Sequence, residues 1–248
     1  MPTRTLTNKV VRRWKLRGPT HGSDLARDIE RRLPTYCPEN ILDIGANVGQ
    51  STRAFRRRFP RSNIYCVEPV RSTFEELYKN TRRLPRVWQL QAAVGAQPGV
   101  ARMECPPEAS DRARILATAS GAGANVATEE VEVTTVDLLC DRWQLSDVGL
   151  LKIDTEGFDL EVLRGATDVL RRQRVDLVEA EVAMNPRNDT HVPFESVKKF
   201  LEPHGYFLFG IYEQVEEWPS GGPNLRRGNV VFISSQMIER YRSSADRL

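Results

Sequence analysis

Short apolar runs and longer amphipathic stretches alternate along most of this chain. Ile41–Gly45, Ile64–Val67, Val87–Val94, Leu150–Asp154 and Val175–Val182 are nearly continuous in apolar side chains, the pattern of strands covered on both faces of a parallel sheet. Between them, Ser23–Leu33 (stopped by Pro34), Gln50–Phe59, Ser72–Thr81, Gly157 to about Gln173, and Pro193–Leu201 carry helical spacing. In Gln50–Phe59, for example, Thr52, Phe55 and Phe59 share one face and Pro60 ends the run. Gly99–Cys105 and Val131–Thr135 read as additional strands around a loop rich in Gly and Ala. Tyr206–Tyr212 and Val230–Ser234 close the pattern, with no helical period in the intervening Glu213–Asn229, which predicts an antiparallel hairpin at the sheet edge. Strand–helix alternation with right-handed crossovers makes this an α/β protein with an open, mostly parallel sheet.

Composition narrows the picture only modestly. A chain of 248 residues, 40% hydrophobic, suits one domain over 23–248 that needs no disulfide or metal to hold its core. Residues 1–22 form a separate extension with six Lys or Arg and no acid before Asp24. It reads as a solvated arm, with peripheral contact to an anionic membrane as the alternative. No apolar stretch is long enough for a membrane span, and the N-terminus lacks the apolar core of a secretory signal. Cys37, Cys66, Cys105 and Cys140 have no metal-ligand spacing and read as reduced thiols of a cytoplasmic protein, with the inner membrane face as its only other expected location. The net charge of +3 is spread along the chain and makes no case for nucleic acid. Oligomeric state is not legible.

The strongest chemical signal is Asp43-Ile44-Gly45-Ala46-Asn47-Val48-Gly49, set between a strand and a helix. Ligands of open α/β sheets bind beyond the carboxyl ends of strands, where glycine lets backbone approach them. Glu68 ends the next strand and precedes Pro69, where an acid can accept hydrogen bonds from both hydroxyls of a ribose. Gly45-x-Asn47-x-Gly49 departs from GxGxxG, and the loop holds no Lys or Arg for a pyrophosphate. S-adenosylmethionine, which has no phosphate, fits better: Asp43 could hold its ammonium directly or through water, and the loop backbone its carboxylate. The small residues of Gln91-Ala92-Ala93 would leave room for adenine.

LDIGANVGQ (Leu42–Gln50), VEP (Val67–Pro69), VTTVDLL (Val133–Leu139) and LKIDTEGFDLEVLRGA (Leu151–Ala166) together resemble the FkbM family of methyltransferases. The resemblance covers about Ile41 to Glu181. It implies a class I methyltransferase fold, a Rossmann-like sandwich with a seven-stranded sheet. It also implies S-adenosylmethionine as donor and O-methylation of a small molecule, a sugar or a glycolipid.

An alcohol acceptor must lose its proton to a general base or to a metal that acidifies it. Asp154, at the end of LLKID, is the leading candidate, followed by Glu156. Glu179 and Glu181 of VEAEV share a strand face, with Glu181 nearer the strand end. Asp154 and Glu181 could therefore make a base or, with Mg²⁺, an oxygen-rich metal site. His191 is a further base candidate, while His204 reads as a helix C-cap. Trp218, Arg226 and Asn229 are candidates to face an acceptor. Two alternatives stand: a nicotinamide-dependent oxidoreductase, disfavoured by the absence of GxGxxG and Tyr-x-x-x-Lys, and an inactive binding protein of the same fold.

Overall fold

The computed structural model describes residues 21–105, 114–115 and 127–245. Most of the basic arm, and its expected membrane contact, therefore lies outside the described residues. In chain order the elements are α1 (Leu25–Arg32), β1 (Asn40–Ile44), α2 (Gln50–Arg58), β2 (Asn63–Glu68), α3 (Arg71–Thr81), β3 (Val87–Gln91), β4 (Ala93–Val94), β5 (Gly99–Cys105) and β6 (Arg114–Ile115). Then follow β7 (Ala127–Thr134), α4 (Val136–Arg142), β8 (Val148–Ile153), α5 (Asp159–Arg164), α6 (Thr167–Arg171), β9 (Val175–Ala183), α7 (Phe194–Leu201), β10 (Tyr206–Glu217), β11 (Gly222–Ser234) and α8 (Ser235–Ala245).

Seven strands form the main sheet in the order β3-β2-β1-β8-β9-β11-β10. Parallel pairing runs from β3 to β9, whereas β11 is antiparallel to both β9 and β10. The expected hairpin is thus present, with its second strand inserted beside β9 and its first strand outermost. Alternation along the strands splits the core. Leu42, Ile44, Val67, Leu151, Val178 and Phe232 pack on one face, against helices that include α4 to α7. Ile41, Ile64, Cys66, Leu150, Leu177 and Val231 pack on the other, with Ile29 of α1, Leu77 of α3 and Met237 of α8. A smaller sheet, β4-β7-β5-β6, stands beside the carboxyl end of β3. Among the described residues, no helix is long and apolar enough to cross a membrane.

Three elements differ from the sequence expectation, and helices α4 and α8 form where it placed none. The run Val87–Val94 divides at Ala92, and Ala93–Val94 leaves the main sheet to pair with β7. The helix expected from Gly157 to Gln173 is two short helices. Asp137 explains the break, since its carboxylate accepts the amides of Asp168 (3.0 Å) and Val169 (3.0 Å) and so caps α6 as a new start. A Cβ on Gly165 would also stand 2.0 Å from the Gly95 carbonyl oxygen, so this turn needs glycine. Finally, most of Glu213–Asn229 is strand, since the hairpin ladder continues through several register shifts to Glu217 and Gly222. Their polar side chains hide the strand signal because this end of the ladder is largely exposed.

Candidate active site

β1 delivers the chain into a tight loop against β2 and β8. The amides of Gly45 and Ala46 donate to the Val67 carbonyl (3.0 and 3.1 Å), and that of Asp154 donates to the Ile44 carbonyl (3.0 Å). Gly45 has φ 74°, and a Cβ there would lie 1.9 Å from the Asp154 carbonyl oxygen, so no other residue fits. Asn47 also takes a positive φ, 50°. Its amide donates to Glu68 Oε2 (3.0 Å), while Glu68 Oε1 accepts from the Val70 amide (3.1 Å). Burial pushes the Glu68 carboxyl up to about 7 despite these two amides, with Asp43 and Asp154 adding repulsion.

Gly45, Asn47, Val67, Glu68, Pro69, Ala92 and Ala93 line a cleft of about 730 Å³, its open mouth included. Val94 and Met103 of the smaller sheet close one side, and Asp154 and Glu156 the other. Among the described residues, the lining contains three carboxylates and no Lys or Arg. That chemistry suits a nucleoside carrying positive charge and does not suit a pyrophosphate. Gly49 and Asp43 line no part of it. Gly49 (φ 92°) starts α2, where a Cβ would press on Thr81 and Leu77. Asp43 is fully buried: its Oδ2 accepts from Ser51 Oγ and Thr52 Oγ1 (both 2.7 Å), bracing the loop from behind.

A second cavity of about 1330 Å³, open solvent included, lies on the α1–α2 side. It shares Gly45, Asn47 and Asp154 with the first, and Lys152, Glu179, Tyr212, Glu213 and Asn229 form its far wall. Register places Asp43, Lys152 and Glu179 side by side on three adjacent strands. Lys152 Nζ lies 3.1 Å from Asp154 Oδ2 and 3.6 Å from Asp43 Oδ1. Burial opposes the charge of Lys152, but Asp154, Asp43 and Glu179 outweigh it and hold the ammonium above the ordinary lysine range. Asn229 Nδ2 donates to Glu213 Oε2 (3.0 Å) and Glu179 Oε1 (3.3 Å). Glu213 takes φ 45° at an irregular step of β10. Ser23 and Asp24 complete the rim. They are held there because buried Asp28 accepts the Gly22 amide (2.7 Å) and the Tyr212 hydroxyl (3.1 Å).

The four catalytic candidates fall into two groups. Asp154 stands alone at the seam of the two cavities. Glu156, Glu181 and His191 cluster instead: His191 Nε2 is 2.9 Å from Glu181 and 3.7 Å from Glu156. His191 Nδ1 faces Asn188, so both ring nitrogens are engaged. Glu156 has φ 50° and, with Gly157 at φ 99°, forms the sharp turn after β8; burial raises its carboxyl, with Asp154 adding to the effect. Of the pair expected to hold a metal, Asp154 is paired with Lys152, while Arg227 and His191 hold Glu181. Glu156, Glu181 and His191 do bring ligand atoms within 4.8 Å of one another, but the Arg227 guanidinium already neutralises Glu181.

Residues 43–208 match the profile of the methyltransferase FkbM domain, two-thirds of the chain. The chain belongs to the FkbM methyltransferase family. Three curated relatives share its scale. Hexuronic acid methyltransferase AglP of Haloferax volcanii is 26% identical over 178 residues, covering 68% of each chain. The 2-O-methyltransferase NoeI of Sinorhizobium fredii is 25% identical over 206 residues, 75% of this chain and 84% of its own. The 31-O-demethyl-FK506 methyltransferase FkbM of Streptomyces tacrolimicus is 28% identical over 193 residues, 67% and 72% respectively. Among solved structures, Aeropyrum pernix fibrillarin aligns with 79% of this chain and 68% of its own at 16% identity and a TM-score of 0.42.

This FkbM methyltransferase therefore uses S-adenosylmethionine, and the oxidoreductase alternative falls. Its first cleft brings Gly45, Asn47, Glu68, Pro69 and Ala92 together. Of the hairpin candidates, Asn229 lines the second cavity. Trp218 is 72% exposed at the hairpin tip, with the Arg226 guanidinium 5.9 Å from its ring centroid. His204 Nδ1 meets the Phe200 carbonyl (2.8 Å), the expected capping role. Lys152, a pairing partner for Asp43 and Asp154, and Glu213 both line the second cavity. Lys152 does carry a signal, as a cation inside a wholly buried strand requires partners. Glu213 carries none, since its role depends on a bulge.

Proposed function

We propose that this methyltransferase delivers the methyl group to a hydroxyl oxygen of a sugar or another polyhydroxylated small molecule. The observation that carries this reading is the meeting of the two cavities at Asp154: one suits the nucleoside end of the donor, and the other is lined with hydrogen-bonding groups suited to a polyol. Relatives named for a hexuronic acid, for 2-O transfer and for a macrolide hydroxyl support oxygen as the target.

In this reading Glu68 takes the ribose hydroxyls, Ala92 and Pro69 border the adenine, and the Gly45–Asn47 backbone approaches the methionine carboxylate. Asp43 acts at one remove, by holding Lys152 and the loop. Asp154 faces the donor's positive end and aligns it; alignment of this kind can lower a barrier by roughly 7–11 kcal/mol. The Glu156–His191–Glu181 cluster fixes the turn that walls the site. No divalent ion is required, because Arg227 neutralises Glu181 and Lys152 neutralises Asp154, and turnover should survive chelation.

The test is calorimetric titration with S-adenosylhomocysteine, followed by a panel of acceptors: neutral methyl glycosides, a uronic acid glycoside and a macrolide alcohol. Micromolar binding, weakened about 10²-fold in Glu68→Ala through loss of charged hydrogen bonds, is the expected first result. Methylation confined to nitrogen or carbon acceptors would overturn the assignment to oxygen.

A further inference from the structure

Among the described residues, the four acids Asp43, Asp154, Glu179 and Glu181 differ in whether a cation already holds the carboxylate. Asp43 is bonded to Ser51 and Thr52 and lies beside Lys152. Asp154 is paired with Lys152, and Glu181 is held between His191 and Arg227. Glu179 is different. It is 7% exposed, it lines the second cavity, and Asn229 bonds only its Oε1. Its Oε2 accepts no hydrogen bond from the described residues and is not sealed off from the cavity.

Resting on the reading of hydroxyl methylation, we propose that Glu179 is the catalytic residue that receives the acceptor hydroxyl, accepting first its hydrogen bond and then its proton. The acceptor oxygen bonds to the methyl carbon while the carbon–sulfur bond breaks with its electron pair left on sulfur. The hydroxyl proton passes to Glu179 Oε2, and the carboxylic acid returns it to water after product leaves. Asn229 aims the group by holding Oε1, and Glu213, bonded to the same amide, holds Asn229 in turn.

The electrostatic setting matches this task. Burial pushes the Glu179 carboxyl up, Lys152 draws it down, and Glu213, Asp43 and Asp154 raise it again, leaving it at about 7. A base with that affinity is part ionised at neutral pH and strong enough to take a proton in the transition state. Glu181, two residues along the same strand face, cannot substitute: its charge is already matched by Arg227.

The experiment compares the full-length enzyme with Glu179→Gln, using the hydroxyl probe from the panel that the wild type methylates fastest. In the variant kcat should fall about 10²-fold or more. The Kd for S-adenosylhomocysteine and the KM for the probe should stay within about threefold. Wild-type kcat should rise through pH 7, and the residual activity of the variant should not follow that rise. Unchanged kcat in Glu179→Gln would overturn the assignment while leaving hydroxyl methylation intact. Failure to methylate any hydroxyl probe would sink both. A second readout needs no acceptor: in protein labelled with [5-¹³C]glutamate and saturated with S-adenosylhomocysteine, one carboxyl absent from the Glu179→Gln spectrum should titrate near pH 7. Titration of that carboxyl below pH 5 would also overturn the proposal.

Discussion

The two cavities that meet at Asp154 are made of different material. The nucleoside cleft is shaped by backbone: a glycine turn, a strand-end carboxylate fixed by two amides, and small side chains at Ala92 and Ala93. The neighbouring cavity is shaped by side chains, with Asn229 holding Glu179 and Glu213 and with Lys152 paired to Asp154. A backbone site tolerates few alternatives and suits a donor that never changes. A side-chain site can be rewritten one residue at a time without disturbing the fold, and it is the part of the enzyme that can follow a new acceptor.

Substitutions that separate the two cavities test this contrast. The largest effect belongs to Gly45→Ala, which places a Cβ against the Asp154 carbonyl at positive φ. Strain and overpacking together should cost about 4 kcal/mol, lower the melting temperature and abolish S-adenosylhomocysteine binding. Retained binding would show that the loop is not backbone-determined. A smaller effect is expected from pH. Glu68 and Glu179 are held near 7 and Asp159 near 6, all raised mainly by burial. Between about pH 4.5 and 7 the folded protein therefore binds more protons than the unfolded chain, so stability should fall as pH rises through that window. Melting curves of the ligand-free enzyme at pH 5.5 and 7.5 check the sign, and Glu68→Gln should flatten the difference.

Asn229→Ala comes next. Of the two hydrogen bonds lost, the one that aims Glu179, about 1.5 kcal/mol, should reduce kcat/KM for the acceptor roughly tenfold while leaving donor affinity unchanged. Equal loss of both would merge the two sites. Smallest of all, Trp218→Ala should leave both binding steps within about twofold, since the indole stands away from either cavity. A raised acceptor KM in that variant would extend the acceptor site to the hairpin tip.

The same division decides what could be read in advance. Gly45, Asn47, Glu68 and Ala92 are legible because a strand-end glycine turn and a strand-end acid have nearly one structural meaning in an open α/β sheet. Parallel strands buried on both faces are legible for a related reason: nothing but a covered sheet accommodates runs such as ILDIG. Side-chain partnership is not local. Alternation puts Glu179 and Glu181 on one face but cannot say that Arg227 and His191 would claim the second and leave an oxygen free on the first. The division of the helix after Gly157 was equally hidden, because its cause is Asp137, some 30 positions upstream.

The order of the last two strands has a consequence for how the chain comes into being. Strand β10 is synthesised before β11, yet among the described residues its one neighbour in the sheet is β11, which must first slot in beside β9. A nascent chain can assemble the strands that carry the nucleoside cleft, all in hand by residue 158, while Tyr206–Glu217 still waits for a partner. During that interval Phe207 and Leu208, half exposed even in the finished fold, sit on a strand with no ladder at all. The acceptor wall thus waits for Gly222–Ser234, and the joining of β11 to β9 is the step at which a donor-binding fold gains its second cavity.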